Sequence, residues 1–160
     1  MTITSDYVRT IFKGLEVGDG KAFFEHVSDA VDWTVMGTHP LAGHYFGKKA
    51  FIEGTFAKLA HVLPRGAQLH TENVIIQGDQ AVVELRSLAT ARNALRFDNR
   101  YCWIIGFLNG SIVQVRAYLD SAMVARLFEE NPISSSPDAL AQPELIGVET
   151  VSAGTGQLGN

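Results

Sequence analysis

The chain has 160 residues, of which 13 are Lys or Arg and 17 are Asp or Glu, so its formal net charge is −4. This length is that of about one domain, with roughly two thirds of the unfolded surface buried, and a separate cofactor domain is not expected. The negative net charge argues against binding to nucleic acid or to an anionic membrane. A hydrophobic fraction of 46% is typical of a globular protein and excludes wholesale disorder.

Three features of the sequence bear on its compartment. The single cysteine, Cys102, cannot form an intramolecular disulfide, which favours a reducing, cytoplasmic compartment. Residues 1–10 include Asp6 and Arg9 and lack an apolar core, so they do not resemble a signal peptide. No run of ~18 apolar residues is present, and a membrane span is therefore not expected.

The first half of the chain has mainly helical periodicity. The predicted elements, in chain order, are helices over 5–15 and 19–27, a strand over 31–36, a loop over 38–46 and a helix over 48–62. The last of these helices has an apolar stripe that includes Ile52 and Phe56, and Pro64 terminates it.

The second half has the alternating pattern of β-strands. Strands are predicted over 69–77, 81–92, 96–108 and 111–119. Asn109 and Gly110 lie between the last two strands and are a strong hairpin signal, because both central residues of a type I′ turn need positive φ. An antiparallel meander is therefore expected, followed by a helix that Asp120 or Ser121 caps and that reaches Glu130.

The composition changes after Pro132. Residues 133–160 are rich in Ser, Pro, Gly, Ala and Thr, and they contain three of the acidic residues but no basic or aromatic residue. This composition predicts a flexible extension, and packing on a partner subunit is the alternative. We expect one domain over 1–132 and a low-complexity C-terminal tail over 133–160.

The order of the elements predicts an α+β fold. In this fold the helices pack on the concave face of one curved antiparallel sheet, which closes like a cone around a pocket. Arg116 and Tyr118 alternate with apolar residues and are expected on the convex face. Because strands 96–108 and 111–119 carry apolar residues on both faces, a homodimer joined through the sheet is predicted.

Four segments of the sequence carry a resemblance to a known group of proteins. They are Trp33 with residues 37–43 (GTHPLAG), residues 47–50 (GKKA), residues 98–101 (DNRY) and residues 115–120 (VRAYLD). Over residues 8–128 the chain resembles the ketosteroid-isomerase-like superfamily and, within it, the SnoaL-like polyketide-cyclase branch. The resemblance implies a cone-shaped, cystatin-like fold. It leaves the activity open, because the superfamily includes isomerases, cyclases, epoxide hydrolases, dehydratases and domains without known chemistry.

Two activities of this superfamily require carboxylates that the sequence does not have at the matching positions. The limonene-epoxide-hydrolase branch uses an Arg between two Asp residues. Arg86 resembles that Arg, but Leu88 and Ala117 stand where the carboxylates are needed. The steroid isomerases carry a carboxylate base on the first strand, and residues 34–36 provide none.

Two residues are candidates for acid/base catalysis. His39 is expected near the pocket mouth, where a neutral imidazole can act as acid or base near pH 7. The alternative for His39 is a hydrogen bond that fixes the turn of its loop. Asp120 resembles the late-strand aspartate with which cyclases of this branch remove a proton α to a carbonyl. The alternative for Asp120 is an N-cap of the last helix.

Aromatic and polarisable residues near the predicted pocket suit a flat apolar ligand. The candidate ligand-binding residues are Trp33, Met36, Phe56, Arg86, Tyr101 and Trp103. Tyr101 and Trp103 each add a hydrogen-bond donor, and Arg86 is suited to a carboxylate or an enolate. For the apolar residues the alternative is a place in the core, and for Arg86 it is an ion pair along its strand.

The sequence contains no motif typical of a metal or cofactor site. It has no His-Glu-x-x-His, no Cys-x-x-Cys and no glycine-rich phosphate loop. We therefore expect neither metal nor cofactor and consider two functions. One is an acid/base isomerase or cyclase that acts on an apolar carbonyl or polyketide-like compound through His39 or Asp120. The other is a non-catalytic ligand-binding or oligomerisation domain. A carboxylate or imidazole without a neutralising partner inside the cavity favours the enzyme.

Overall fold

The computed structural model describes residues 1–134, so the tail predicted over 133–160 lies almost wholly outside the described residues. The helices within this range are α1 (Ser5–Glu16), α2 (Gly20–Phe24), α3 (Lys48–Gly54), α4 (Phe56–Val62) and α5 (Ser121–Glu130). The strands are β1 (Val27–Val35), β2 (Gly43–Phe46), β3 (Leu69–Gln77), β4 (Gln80–Ser87), β5 (Ala89–Thr90), β6 (Arg96–Phe97), β7 (Arg100–Leu108) and β8 (Ser111–Leu119). No helix in this part of the chain has the length and hydrophobicity that a membrane span needs.

Six of these strands form one curved sheet in the order β2-β1-β8-β7-β4-β3, and β5 pairs with β6 as a separate ribbon. Neighbouring strands are antiparallel except for β1 and β8, which run parallel with Thr34 opposite Arg116. The sheet is therefore mixed, whereas the sequence predicted an antiparallel one. The difference arises because all the strands from β2 to β7 lie between β1 and β8 in the chain, so no hairpin sets their relative direction.

The helices pack on one face of this sheet, which we call the inner face. Helix α1 lies against β3 and buries Val8, Ile11, Phe12 and Leu15. The inner residues of the central strands complete the main apolar cluster, among them Val83, Leu85, Trp103, Ile105, Val115 and Ala117. Tyr118, which alternates with these residues, is 44% exposed on the opposite, outer face. The predicted α+β fold with helices on the concave face is confirmed.

A second, smaller apolar cluster lies at one end of the fold. It joins α4, the β5–β6 ribbon and α5 through Leu41, Leu59, Val62, Leu63, Ala89, Ala91, Phe97, Val124 and Leu127. The ribbon lies between β4 and β7 in the chain, and α5 directly follows β8. The second cluster therefore covers one end of the inner face of the main sheet. The cavity described below lies where the two clusters meet.

The helix predicted over 48–62 is two helices, because Thr55 leaves the helical conformation at φ −131° and ψ −77°. The Thr55 hydroxyl donates to the carbonyl of Phe51 at 2.7 Å, an alternative to regular helical bonding that bends helices. Gly54 also lies so close to Tyr45 that a Cβ at this position would overlap the ring. Both features place Phe56 at the first position of α4.

The strand boundaries differ from the prediction at three places. The loop predicted over 38–46 contains the short edge strand β2, and β1 starts at Val27, inside the predicted second helix. The strands predicted over 81–92 and 96–108 are each interrupted. The interruption has a physical cause at Ser87, whose Oγ donates to the carbonyl of Phe97 and accepts from the N–H of Asn99, both at 3.0 Å. These side-chain bonds replace the regular ladder, and the β5–β6 ribbon separates from the sheet.

Candidate functional site

An apolar cavity of about 40 Å³ lies between the two clusters. Its wall is made of Val35, Leu41, Phe51, Thr55, Phe56, Leu59, Ala67, Leu69, Phe97, Tyr101, Trp103, Leu119 and Val124. Hydrogen-bonding side chains in this wall come from Thr55, Tyr101 and Trp103, and Thr55 already donates to Phe51. Among the described residues, no carboxylate and no imidazole lines the cavity.

Tyr101 contributes to the cavity wall from β7. The hydroxyl lies 3.5 Å from Ser87 Oγ, which is the far limit of a hydrogen bond. Burial raises the pKa of Tyr101 to about 12, although the bond to Ser87 acts in the opposite direction. The hydroxyl therefore stays protonated at neutral pH, where it acts as a hydrogen-bond donor and not as a base.

Trp103 contributes to the wall two residues further along β7. Its side chain is 3% exposed, and Nε1 is buried without a hydrogen-bond partner among the described residues. A buried donor without an acceptor costs about 1–3 kcal/mol, so an acceptor atom of a ligand in the cavity stabilises the complex. Tyr101 and Trp103 together make this part of the wall suited to an oxygen atom.

Trp33, which the sequence predicted as a ligand-binding residue, lies behind the wall and not in it. Its ring stacks on Phe51 with centroids 3.7 Å apart and meets Trp103 edge-on at 5.2 Å. Trp33 is fully buried, and its Nε1 also has no partner in the described part of the chain. Its position supports the two aromatic residues that do line the cavity.

His39 is buried, but it does not line the cavity. Nε2 lies 3.0 Å from the carbonyl oxygen of Met36, which requires the proton on this nitrogen, and Nδ1 accepts the N–H of Leu41 at 3.2 Å. Burial lowers the pKa of His39, against the opposing effect of its bond to Met36. Both ring nitrogens are thus engaged in hydrogen bonds within the loop, as in the alternative that the sequence left open for His39.

Asp120 also lies outside the cavity wall. It is exposed at the start of α5, where its Oδ1 accepts the N–H of Met123 at 3.2 Å. The side-chain amide of the buried Asn99 bonds the backbone of Asp120 twice. Its Oδ1 accepts the N–H of Asp120 at 3.0 Å, and its Nδ2 donates to the carbonyl of Asp120 at 3.2 Å. Asp120 acts as an N-cap, and the geometry does not favour the predicted role as a pocket base.

Arg86 and Met36, the remaining predicted ligand-binding residues, are not part of the wall either. Residues of β4 alternate between the faces, so Arg86 points to the outer face between the buried Leu85 and Ser87. There its Nε lies 3.4 Å from a carboxylate oxygen of Glu72. The structure thus brings together three of the predicted site residues, Phe56, Tyr101 and Trp103.

Several wall residues were not among the sequence-predicted site residues. They are Val35, Leu41, Phe51, Thr55, Leu59, Ala67, Leu69, Phe97, Leu119 and Val124. A usable signal existed only for Leu59, which shares the helical stripe of Phe56. The others come from distant segments that only the tertiary fold brings together. Within residues 1–134, no three His, Cys, Asp or Glu side chains converge into a possible metal site.

Comparison with known proteins gives one curated relative. The sequence matches no protein-family profile. It is 24% identical over 136 residues to the dimerizing cyclase phiC of a fungal species, strain ATCC 74256. The match covers 82% of this chain, but this chain spans only 59% of the length of that cyclase.

Solved structures with the same architecture are more numerous. An NTF2-like protein from Burkholderia thailandensis aligns with a TM-score of 0.67 and 22% identity, over 77% of this chain and 95% of its own. TerC, co-crystallised with polyporic acid, aligns with a TM-score of 0.65 and 20% identity, over 78% and 96%. A protein from Catenulispora acidiphila with a ketosteroid isomerase-like fold aligns with a TM-score of 0.61 and 10% identity, over 76% and 91%. The chain therefore has the NTF2-like, ketosteroid-isomerase-like fold that the resemblance implied.

Proposed function

We propose that this chain is a small-molecule pocket protein that binds a flat, apolar compound through a carbonyl oxygen. The hydroxyl of Tyr101 and the indole N–H of Trp103 donate to that oxygen, and the apolar wall receives the rest of the compound. Two observations support the proposal: Trp103 lines a cavity whose wall is almost wholly apolar, and its Nε1 is buried without a partner among the described residues.

The structure supports ligand binding better than a reaction in which a pocket residue acts as acid or base. Proton abstraction needs a base within hydrogen-bond reach of the substrate, and the wall formed by the described residues contains none. His39 uses both ring nitrogens in its own loop, and Asp120 caps α5. The steroid-isomerase type of proton transfer is therefore not part of the proposal.

A cyclase is the second candidate, because the curated relative is a dimerizing cyclase. In a cavity without a base, a cyclase acts by holding a flexible compound in a reactive conformation, which removes part of the entropic cost of ring closure. Donors such as Tyr101 and Trp103 add to this effect when they stabilise the negative charge that develops on a carbonyl oxygen.

Two ligands of nearly the same shape test the binding proposal. Acetophenone and ethylbenzene both carry a two-carbon substituent on a benzene ring, but only acetophenone has an oxygen. We expect acetophenone to raise the melting temperature and to quench tryptophan fluorescence at lower concentration than ethylbenzene. Equal responses to the two ligands, or no response to either, would contradict the proposal.

Native mass spectrometry separates the two candidate functions. A compound that co-purifies with the protein is recovered, identified and incubated with fresh protein. If the compound is recovered unchanged, the protein is a binding domain. If it is converted to an isomer of the same mass, or to a product of two copies, the protein is a cyclase.

We further propose that the protein forms a homodimer through the outer face of its sheet. Large apolar side chains on this face are exposed: Phe46 (74%), Leu108 (62%), Ile75 (56%) and Tyr118 (44%). These side chains are spread over four of the six strands, and exposed apolar side chains on a sheet face favour contact with a partner. The fold is compatible with this arrangement, because the helices occupy only the inner face.

A further inference from the structure

A groove of about 440 Å³ lies on the protein surface beside the cavity. Its floor is apolar and consists of Phe24, Ile52 and Phe56, and its rim carries Lys21, Lys48 and Glu25. Lys48 is already engaged, since its Nζ lies 3.0 Å from Asp29 and donates to the carbonyl of Phe24 at 2.9 Å. The opposite charges on the rim balance, so the apolar floor determines what the groove can accept.

Phe56 belongs both to this groove and to the cavity. Its ring meets Phe24 of the groove at 5.6 Å and Phe51 of the cavity wall at 5.8 Å, both edge-on. Phe56 is only half-buried, and it follows the helix break at Thr55. One aromatic ring therefore separates the two spaces, and it has solvent on one side into which it can turn.

The cavity alone is too small even for a one-ring compound such as acetophenone. A volume of about 40 Å³ corresponds to roughly three water molecules, since each needs about 10–15 Å³ on this measure. A ligand that bonds Tyr101 and Trp103 must therefore displace part of the wall. Phe56 is the wall residue behind which apolar, solvent-accessible space already exists.

From this geometry we propose that Phe56 is a gate and that the groove is the second half of the binding site, an inference that rests on the proposed function. The ligand is then an elongated aromatic ketone with two apolar units. Its carbonyl end lies in the cavity at Tyr101 and Trp103, and its distal ring lies on Ile52 and Phe24. Phe56 turns aside as the ligand enters and then packs against it.

Acetophenone and 4-acetylbiphenyl test this inference, because they share the ketone and differ by one distal ring. We expect the biphenyl ketone to bind about tenfold more tightly, which corresponds to partial burial of a phenyl ring in an apolar groove. Ile52→Asn makes the groove floor polar, and we expect it to bring the ratio of the two affinities towards one. Val17→Asn, at a side chain that is 62% exposed after α1, is the matched control and leaves the ratio unchanged.

The gate is tested by stopped-flow tryptophan fluorescence. Phe56→Ala is expected to increase the association rate constant for both ketones, and Phe56→Leu serves as the milder variant where alanine reduces stability. Val17→Ala, at an exposed side chain after α1, is the control and leaves the rates unchanged.

The outcomes separate this inference from the proposed function. If acetophenone binds but the biphenyl ketone binds no more tightly, or if Ile52→Asn does not reduce the ratio, the groove is not part of the site. Unchanged association rates in both Phe56 variants refute the gate. If the wild-type protein and the Phe56 variants bind neither ketone, the proposed function itself is wrong.

Discussion

The hydroxyl of Tyr101 donates to Oγ of Ser87 at 3.5 Å, the far limit of a hydrogen bond. The same Oγ donates to the carbonyl of Phe97 and accepts the N–H of Asn99, both at 3.0 Å. Ser87 thus terminates the sheet ladder through its two short bonds, and its bond to Tyr101 is the longest of the three. We therefore expect a ligand oxygen at a normal hydrogen-bond distance to compete with Ser87 for the Tyr101 proton.

Tyr101→Phe tests this donor, because it removes the hydroxyl and keeps the ring. We expect the affinity for acetophenone to fall about fivefold, as for the loss of one neutral hydrogen bond, and the affinity for ethylbenzene to stay the same. Isothermal titration calorimetry with both ligands measures the difference. An equal loss for both ligands would mean that the ring and not the hydroxyl determines binding.

Alkaline unfolding reports on the same hydroxyl. The pKa of Tyr101 is raised from 10.0 to about 12 in the folded chain, so the unfolded chain loses this proton first as the pH rises. The free energy of unfolding therefore decreases between about pH 10 and 12, by about 2 kcal/mol from this residue. In Tyr101→Phe the free energy of unfolding falls less steeply over this range, as urea titrations at several pH values will show.

The comparison of the two slopes tests whether the Tyr101 hydroxyl is buried. A slope that is the same in Tyr101→Phe as in the wild type would show that the Tyr101 hydroxyl is not buried in solution.

His39→Ala is expected to destabilise the protein without removing a catalytic group. The substitution leaves the Met36 carbonyl and the Leu41 N–H without partners, which costs about 1–3 kcal/mol if water does not replace the imidazole. Urea unfolding at pH 7.5 measures this loss. Reduced stability with unchanged acetophenone affinity fits a structural role, whereas lost affinity at unchanged stability would restore the functional role predicted from the sequence.

We also expect His39 to make the free energy of unfolding decrease at acidic pH. Burial lowers the folded-state pKa of His39 below 6.5, so the unfolded chain takes up the proton first as the pH falls. The contribution of His39 to the free energy of unfolding is therefore complete above about pH 6.5 and is lost as the pH falls below it. His39→Asn should reduce the difference in stability between pH 7.5 and 5.5, which urea titrations at the two pH values will measure.

Local patterns in the sequence were sufficient to predict most of the fold. Helices α1 and α5 have clear apolar stripes and polar caps, and Asn109 and Gly110 form the predicted hairpin turn with φ of 51° and 83°. The break at Thr55 was missed because the apolar stripe continues across it with helical spacing. The parallel pairing of β1 with β8 is a long-range contact, and no local pattern encodes it.

The site was predictable only where a residue lies on a regular strand or helix. Tyr101 and Trp103 share the inner face of β7 at a spacing of two, and Phe56 lies on a helical stripe. For His39 the sequence left a catalytic role and a loop-fixing role open, because a loop residue has no periodicity that shows whether its side chain faces a cavity or its own backbone. Trp33 was predicted near the cavity, but its position behind Phe51 is a property of the packed core.

Asp120→Ala tests whether this aspartate is a cap. We expect a loss of about 1 kcal/mol of stability, which is typical of removing an N-cap side chain, and no change in acetophenone affinity. Asp120→Asn keeps the acceptor oxygen for Met123 N–H and should retain most of the stability. A strong loss of turnover or affinity in Asp120→Asn, at wild-type stability, would contradict the structural role.

Charged substitutions on the outer face test the proposed homodimer. Phe46→Glu and Tyr118→Glu each replace an exposed aromatic residue of the sheet by a carboxylate. In a two-fold symmetric interface every substitution occurs twice, so each variant introduces two desolvated or mutually repelling charges. We expect the variants to shift the protein from twice the monomer mass to the monomer mass in light scattering at micromolar concentration.

Val17→Glu is the matched control, because Val17 is 62% exposed in the turn after α1, away from the outer face. It introduces the same charge and should leave the dimer intact. Because the cavity lies on the inner face, the monomeric variants should bind acetophenone with wild-type affinity. A wild-type protein that is monomeric at micromolar concentration, or a dimer that survives both outer-face variants, would show that the subunits do not associate through this sheet face.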